Sequence, residues 1–183
     1  MSTLNPKLPL FVDLDGTVIK TDLMFESILQ LFKKNPLAIF LIPLWLLKGR
    51  AYLKHQLAQR VEIAVDLLPL NTEFIAYLRT QAAEGRDIIL ISASNQLPVR
   101  QVSDHLSLFI DAIGSDADHN LKSENKLRRI QALISKSSSS YSGNLLADLS
   151  VWTAAEQGLI VICTAPLGSE VSTKTRTVTP YPP

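Results

Sequence analysis

The fold is decided by residues 8–17, which read Leu8-Pro9-Leu10-Phe11-Val12-Asp13-Leu14-Asp15-Gly16-Thr17. The apolar first half predicts a buried strand, and the polar second half predicts a turn. Asp13 and Asp15 are two residues apart, so an extended backbone places both carboxylates on the same side of the chain. Ligands of parallel α/β sheets bind beyond the carboxyl ends of the strands, which is where this pair lies.

Two carboxylates at such a place can share the work of phosphoryl transfer. One attacks phosphorus and forms an aspartyl phosphate, and the other protonates the leaving oxygen and then activates water. Gly16 allows the tight turn and Thr17 can cap the segment that follows. The alternative is a plain turn, because Asp, Gly and Thr are common turn residues. The apolar strand in front of the turn favours the catalytic interpretation.

The rest of the chain alternates between helix and strand. Leucine-rich helical periodicity after the first strand predicts helices at Asp22–Lys34, Pro36–Leu47 and Arg50–Val61. Further along, the predicted elements are helix Thr72–Glu84, strand Asp87–Ile91, helix Gln96–Leu106, strand Leu108–Ile113, a helix from Ser123 to about Ser135, strand Tyr141–Gly143, helix Asp148–Gln157 and strand Leu159–Cys163. This order predicts an α/β fold with a doubly wound parallel sheet in residues 1–167 and a helical insertion at about 21–70. Residues 168–183 contain three prolines and little apolar content, which predicts a disordered tail or linker.

Composition excludes several classes of function. The 183 residues are 46% apolar and 19% charged, and the formal net charge of +1 gives no electrostatic case for a nucleic-acid partner. Cys163 is the single cysteine, which favours a reducing compartment and a cytoplasmic location. The longest apolar run, Leu37–Leu47, is shorter than the roughly 18 residues that indicate a membrane span.

Asp13-Leu14-Asp15-Gly16-Thr17 resembles the first motif of the haloacid dehalogenase (HAD) superfamily of phosphatases, Asp-x-Asp-Gly-Thr. The resemblance implies a Rossmann-like sheet with a helical cap and hydrolysis of a small phosphorylated substrate. It makes Asp13 the nucleophile and Asp15 the general acid and base. It also implies that Gly16 and Thr17 border the substrate and that Asp15 gives its backbone carbonyl to Mg²⁺.

The second and third motifs of that superfamily have counterparts here. Ile88-Ile89-Leu90-Ile91-Ser92 resembles the strand that ends in a phosphate-binding Ser or Thr, and Ala93 and Ser94 extend the loop, with Ser94 as the rival donor. Lys126 resembles the lysine that neutralises the phosphoryl group, and Lys122 is the alternative.

The fourth motif, Gly-Asp-x-x-x-Asp, is altered. Residues 143–148 read Gly-Asn-Leu-Leu-Ala-Asp, so Asn144 stands where the family has a metal-binding aspartate. The resemblance implies a Mg²⁺ site made by Asp13, Asp15, Asn144 and Asp148. An amide oxygen can coordinate Mg²⁺ but carries no charge, so the change predicts weaker metal binding.

Three segments, Asp13–Asp22, Pro36–Arg50 and Ala147–Trp152, resemble the HAD-like domain of bacterial UbiA-type prenyltransferase fusions. The predicted function is a Mg²⁺-dependent phosphomonoesterase whose substrate is a lipid-linked or sugar phosphate. The alternative is a weakened enzyme that serves as a binding or regulatory domain for a membrane prenyltransferase. The apolar insertion is explained either by helix packing or, because basic residues flank it, by peripheral contact with a membrane.

Overall fold

The computed structural model describes residues 9–116, 120–121 and 124–133, together with the backbone of 140–143, 157–160 and 178–180. Six parallel strands in these residues form one sheet in the order β3-β2-β1-β4-β5-β6. Their bounds are β1 Leu10–Val12, β2 Ile88–Asn95, β3 Asp111–Ser115, β4 Ser140–Gly143, β5 Gln157–Ile160 and β6 Val178–Pro180. The chain winds outward from β1 in both directions, as the doubly wound prediction requires.

Helices lie between the strands from β1 to β4. They are α1 Leu23–Lys34, α2 Ile42–Leu47, α3 Arg50–Arg60, α4 Thr72–Ala83, α5 Gln96–Leu106 and α6 Glu124–Leu133, with short 3-10 helices at Pro36–Leu41 and Val65–Leu67. Local sequence determines where several of these helices begin and end. Asp22 caps α1 by accepting hydrogen bonds from the backbone N–H groups of Met24 and Phe25. Gly85, in the left-handed region at φ 80°, follows α4 as predicted.

Several predicted boundaries are wrong. The strand expected at Asp87–Ile91 is Ile88–Asn95, and the helix expected at Pro36–Leu47 is a 3-10 helix followed by α2. The strand expected at Leu108–Ile113 begins at Asp111, because Leu108 and Phe109 pack on the core as loop residues instead. Gln157 was expected to end a helix and instead begins β5. Val178–Pro180 lies within the expected tail but pairs in parallel with β5.

The main core lies around β1 and β2. Leu10, Val12 and Leu90 are fully buried there, and Phe74 of α4 and Val99 of α5 pack on the same cluster. Such continuous apolar strands are expected in a parallel sheet that is covered on both faces. The core therefore fixes the carboxyl ends of β1 and β2 side by side.

The insertion between β1 and β2 builds a second, smaller core. Leu31, Trp45, Leu53 and Leu57 are buried in it, and α3 also contacts β2. The guanidinium of Arg60 lies 4.8 Å from the centre of the Trp45 ring. We call residues 21–70 the cap, and the packing of α3 on β2 joins it to the sheet.

Candidate active site

Asp13, directly after β1, forms a buried ion pair. The Nζ atom of Lys126 on α6 lies 3.0 Å from Asp13 Oδ1, and the two residues are 1% and 2% exposed. An ammonium group so close stabilises the charged form of the carboxylate. Desolvation alone would instead favour the neutral acid. The pair leaves Asp13 charged and enclosed at the end of the sheet.

Asp15, two residues on, is held by three hydrogen-bond donors. Its Oδ2 accepts hydrogen bonds from the Ser94 hydroxyl at 2.7 Å and the Ser92 hydroxyl at 3.1 Å. Its Oδ1 accepts one from the backbone N–H of Leu23, at the start of α1. The N-terminus of a helix carries partial positive charge, so this contact also favours the carboxylate. Asp15 thus connects the strand end to the first helix of the cap.

Opposing effects set the pKa of Asp15, and burial dominates. Desolvation raises the pKa above its ordinary value of 3.8, and the negative charge of Asp22 adds to the rise. The hydrogen bonds from Leu23 and Ser94 lower it, as does the positive charge of Lys54. A carboxyl with a raised pKa keeps a larger share of its proton towards neutral pH, which suits a general acid.

Lys54 is a residue of this site that the sequence analysis did not identify. It lies on α3 of the cap, and its Nζ donates a hydrogen bond to the carbonyl of Ala93 at 2.7 Å. The same carbonyl accepts a hydrogen bond from Ser115 on β3. A signal for Lys54 exists in the sequence, since it adjoins Leu53 and Leu57, whose i, i+4 spacing marks the buried side of the helix.

Other predicted residues have structural partners. Gly16, at φ 71°, donates its N–H to the Thr21 carbonyl at 3.1 Å. Thr17 is fully buried, and its carbonyl accepts a hydrogen bond from the Asn71 side chain. Its hydroxyl has no hydrogen-bond partner among the described residues. The substrate-binding roles of both stay predictions.

The cap packs against this site through the Leu23 N–H and the Lys54 side chain. A cavity of about 10 Å³ lies where α1, α3 and the end of β2 meet, and Ser27, Lys54 and Ser94 are among its lining residues.

The structure therefore brings together Asp13, Asp15, Ser92, Ser94 and Lys126, from three elements that are far apart in sequence. Lys122, Asn144 and Asp148 lie outside the described residues. Within the described part of the chain, no three His, Cys, Asp or Glu side chains gather closely enough to hold a metal ion. There, too, no helix has the length and hydropathy that crossing a membrane requires.

No protein-family model matches this chain. The uncharacterized protein y4nM of Sinorhizobium fredii (strain NBRC 101917 / NGR234) is 35% identical over 156 residues, which are 85% of this chain and 30% of the relative. The chain thus spans less than a third of the length of this curated relative.

Several solved structures share the architecture of this chain. A protein of unknown function from Bordetella pertussis Tohama I has a TM-score of 0.66 at 11% identity, covering 94% of this chain and 98% of its own. A substrate-bound phosphoserine phosphatase has a TM-score of 0.64 at 13% identity, with 94% and 92% covered. A HAD-family hydrolase from Salmonella enterica serovar Typhi has a TM-score of 0.63 at 15% identity, with 94% and 68% covered. The chain has the HAD-like Rossmann-type fold.

Proposed function

We propose that this domain hydrolyses phosphomonoesters through an aspartyl-phosphate intermediate on Asp13. The observation that carries the proposal is the pairing of Asp13 with Lys126 next to an Asp15 that is bound by two hydroxyl groups. Two solved structures of the same fold lend support, namely a substrate-bound phosphoserine phosphatase and a phospho-aspartyl intermediate analogue of that enzyme. The second has a TM-score of 0.60 at 12% identity.

The residues divide the reaction as follows. A carboxylate oxygen of Asp13 forms a bond to phosphorus while the bond from phosphorus to the ester oxygen breaks, and protonated Asp15 gives its proton to that oxygen. Ionised Asp15 then takes a proton from water, whose oxygen attacks phosphorus and breaks the bond to Asp13. Lys126 offsets the negative charge in both steps. Asp15 thereby regains its proton and Asp13 its carboxylate.

A magnesium ion belongs to this proposal. Among the described residues, the Asp13 carboxylate and the Asp15 backbone carbonyl are hard oxygen donors of the kind that Mg²⁺ prefers, and Asn144 and Asp148 are the further predicted ligands. The donor chemistry fits, and the ion would supply positive charge that offsets repulsion between phosphate and carboxylates. Lys126 already supplies one positive charge to Asp13, so a neutral ligand at Asn144 weakens metal binding without removing all charge compensation.

Hydrolysis of an aryl phosphate, with and without Mg²⁺, tests the proposal. We expect Mg²⁺-dependent turnover in the native chain, loss of at least about 1000-fold in Asp13→Asn because the covalent step is removed, and no loss in Asp104→Asn. Asp104 is a matched control because it is an exposed aspartate on α5. Borohydride reduction of the acyl phosphate, followed by mass spectrometry, should locate the modification at residue 13. Native-like turnover in Asp13→Asn would refute the mechanism.

The alternative is a weakened enzyme that acts as a binding domain, for instance beside a membrane prenyltransferase. It rests on the neutral side chain of Asn144. Turnover that is absent in the native chain and appears in Asn144→Asp would favour it. The substrate class, a lipid-linked or sugar phosphate, is part of our proposal and is examined by comparing such phosphates once turnover is established.

A further inference from the structure

The cap exposes an unusual concentration of large apolar side chains. Thirteen such side chains are exposed among the described residues, and nine of them lie within residues 25–47. These nine are Phe25, Leu29, Phe32, Leu37, Phe40, Leu41, Leu44, Leu46 and Leu47, and we call them the apolar cap surface. They lie on consecutive elements that pack against one another. Single exposed apolar residues are normal, but such a cluster indicates an interaction site.

Helix α1 shows that this exposure is not a by-product of core packing. Leu23, Ser27 and Leu31 are buried on one side of the helix. Phe25 and Phe32 are 55% and 53% exposed. Because residues two positions apart differ by about 200° around a helix, Phe25 lies opposite the buried side. The helix is therefore apolar on two sides, and only one of them meets the core of the cap.

The 3-10 helix at Pro36–Leu41 and α2 repeat this arrangement. Ala38 and Trp45 are buried in the cap core, and Trp45 is covered by Arg60. Leu37 is 74% exposed and Leu47 is 85% exposed. The segment is thus anchored by Ala38 and Trp45, while Leu37 and Leu47 are exposed.

Charge distinguishes the kind of partner. Residues 27–61 contain six Lys or Arg and no Asp or Glu. Lys33 and Lys34 end α1, and Lys48 and Arg50 flank the turn after α2, all four being exposed. Glu62, just beyond this segment, lines a shallow groove with Lys33 and Lys34 and offsets part of their charge. Asp22 and Glu26 lie beside Phe25 at the start of α1, so the excess of positive charge is concentrated around residues 32–50.

We propose that the apolar cap surface docks peripherally on an anionic lipid bilayer, with its leucine and phenylalanine side chains in the interface and the flanking basic residues on lipid headgroups. Exposed apolar side chains bordered by Lys and Arg are the pattern that binds such surfaces. A second copy of the chain is a poorer occupant, because it would bring like charges together. This inference is independent of the proposed hydrolase activity.

Co-sedimentation of the full chain with vesicles of phosphatidylglycerol and phosphatidylcholine tests the docking. We expect binding at low salt that weakens in raised salt and is much weaker to phosphatidylcholine alone. Lys48→Gln/Arg50→Gln should lower the partition coefficient about 25-fold, since each basic residue near the surface contributes about fivefold. Leu37→Ser/Phe40→Ser should lower the partition coefficient about 100-fold, because the loss of each apolar side chain lowers it about tenfold.

Ile110→Ser is the matched control, because Ile110 is 64% exposed but lies outside the cap, just before β3. It should bind as the native chain does. The melting temperature verifies that each variant is folded. If Leu37→Ser/Phe40→Ser does not fold, Lys48→Gln/Arg50→Gln by itself tests the docking. Failure of the native chain to sediment with anionic vesicles would overturn the docking, as would equal loss in Ile110→Ser. So would a native dimer in light scattering that Leu37→Ser/Phe40→Ser abolishes. Turnover of a water-soluble aryl phosphate is read separately, so failure of docking and failure of catalysis are distinguishable.

Discussion

Replacing Lys126 with methionine removes the ammonium group that lies 3.0 Å from Asp13 Oδ1. Both residues are almost completely buried, at 1% and 2% exposure, so water cannot take the place of the lost charge. Methionine has about the length of the lysine stem and fills space adaptably, so the change tests charge more than volume.

The magnitude follows from the burial of the pair. Removing one partner of a buried ion pair costs about 3–5 kcal/mol, because the other charge keeps its desolvation penalty. For a domain of this size, each kcal/mol lowers the melting temperature by about 2–4 °C. Lys126→Met should therefore melt about 6–20 °C below the native chain and should also lack the proposed phosphatase activity.

Thermal and urea unfolding, followed by circular dichroism, measure this effect. Asp13→Asn/Lys126→Met removes both charges and should recover most of the lost stability. Lys33→Met, at an exposed lysine of α1, should change stability by no more than about 0.5 kcal/mol. The reasoning is refuted if Lys126→Met melts within about 2 °C of the native chain, a shift below the range derived from burial, or if the double variant is less stable than Lys126→Met alone.

Three further changes test the surroundings of the site. The pKa of Asp15 is raised in the folded state, so the native chain loses stability as the pH rises from about 3.8 through the folded pKa. Asp15→Asn should lack this loss when its unfolding is measured from pH 4 to 8. An Asp15→Asn curve parallel to the native one would contradict this. Lys54→Met removes a positive charge that lowers the pKa of Asp15, so the pH–rate profile should move to higher pH, whereas an unshifted profile would rule out this role. Gly114→Ala should lower the free energy of unfolding, measured with urea, by about 1–3 kcal/mol, because a Cβ there would lie 2.6 Å from the Gln96 Cα atom. An unchanged free energy of unfolding would mean that the backbone shifts easily to make room.

Much of the fold could be predicted from local patterns. Gln96–Leu106 is a helix at both predicted ends, because Asn95 caps its first turn and Ser107 adopts the left-handed conformation after its last. The short strand before Asp13 was recognisable from its apolar run and the turn residues that follow. The cap helices were recognisable from leucine periodicity and from the breaks at Pro36 and Gly49.

The errors arise where tertiary pairing decides the structure. Val178–Pro180 has a sequence typical of a linker, yet it pairs with the neighbouring strand. Gly114 extends β3 beyond the predicted end because its missing side chain allows close approach to Gln96. Neither pairing partner can be identified from a local window, so propensity gives the wrong boundary.

The motif residues of the candidate site could be predicted from the sequence, but a cap residue that contacts them could not. Asp13, Asp15, Ser92 and Lys126 could be named from the first three motifs. Lys54 could not, because its contact with the Ala93 carbonyl depends on how the cap sits over β2. Residues that act across two packed units leave only a weak signal in sequence.

The central position of β1 has a consequence for how the chain is made. This strand pairs with residues 88–90 on one side and 140–142 on the other, and the lysine that meets Asp13 lies 113 residues away. During synthesis β1 therefore leaves the ribosome well before either of the strands with which it pairs. The cap, whose contacts are closer in sequence, has the partners it needs much sooner. The aspartate–lysine pair can thus form only after residue 126 has been made, and a chain halted before residue 126 would carry the motif without the charge that the buried site requires.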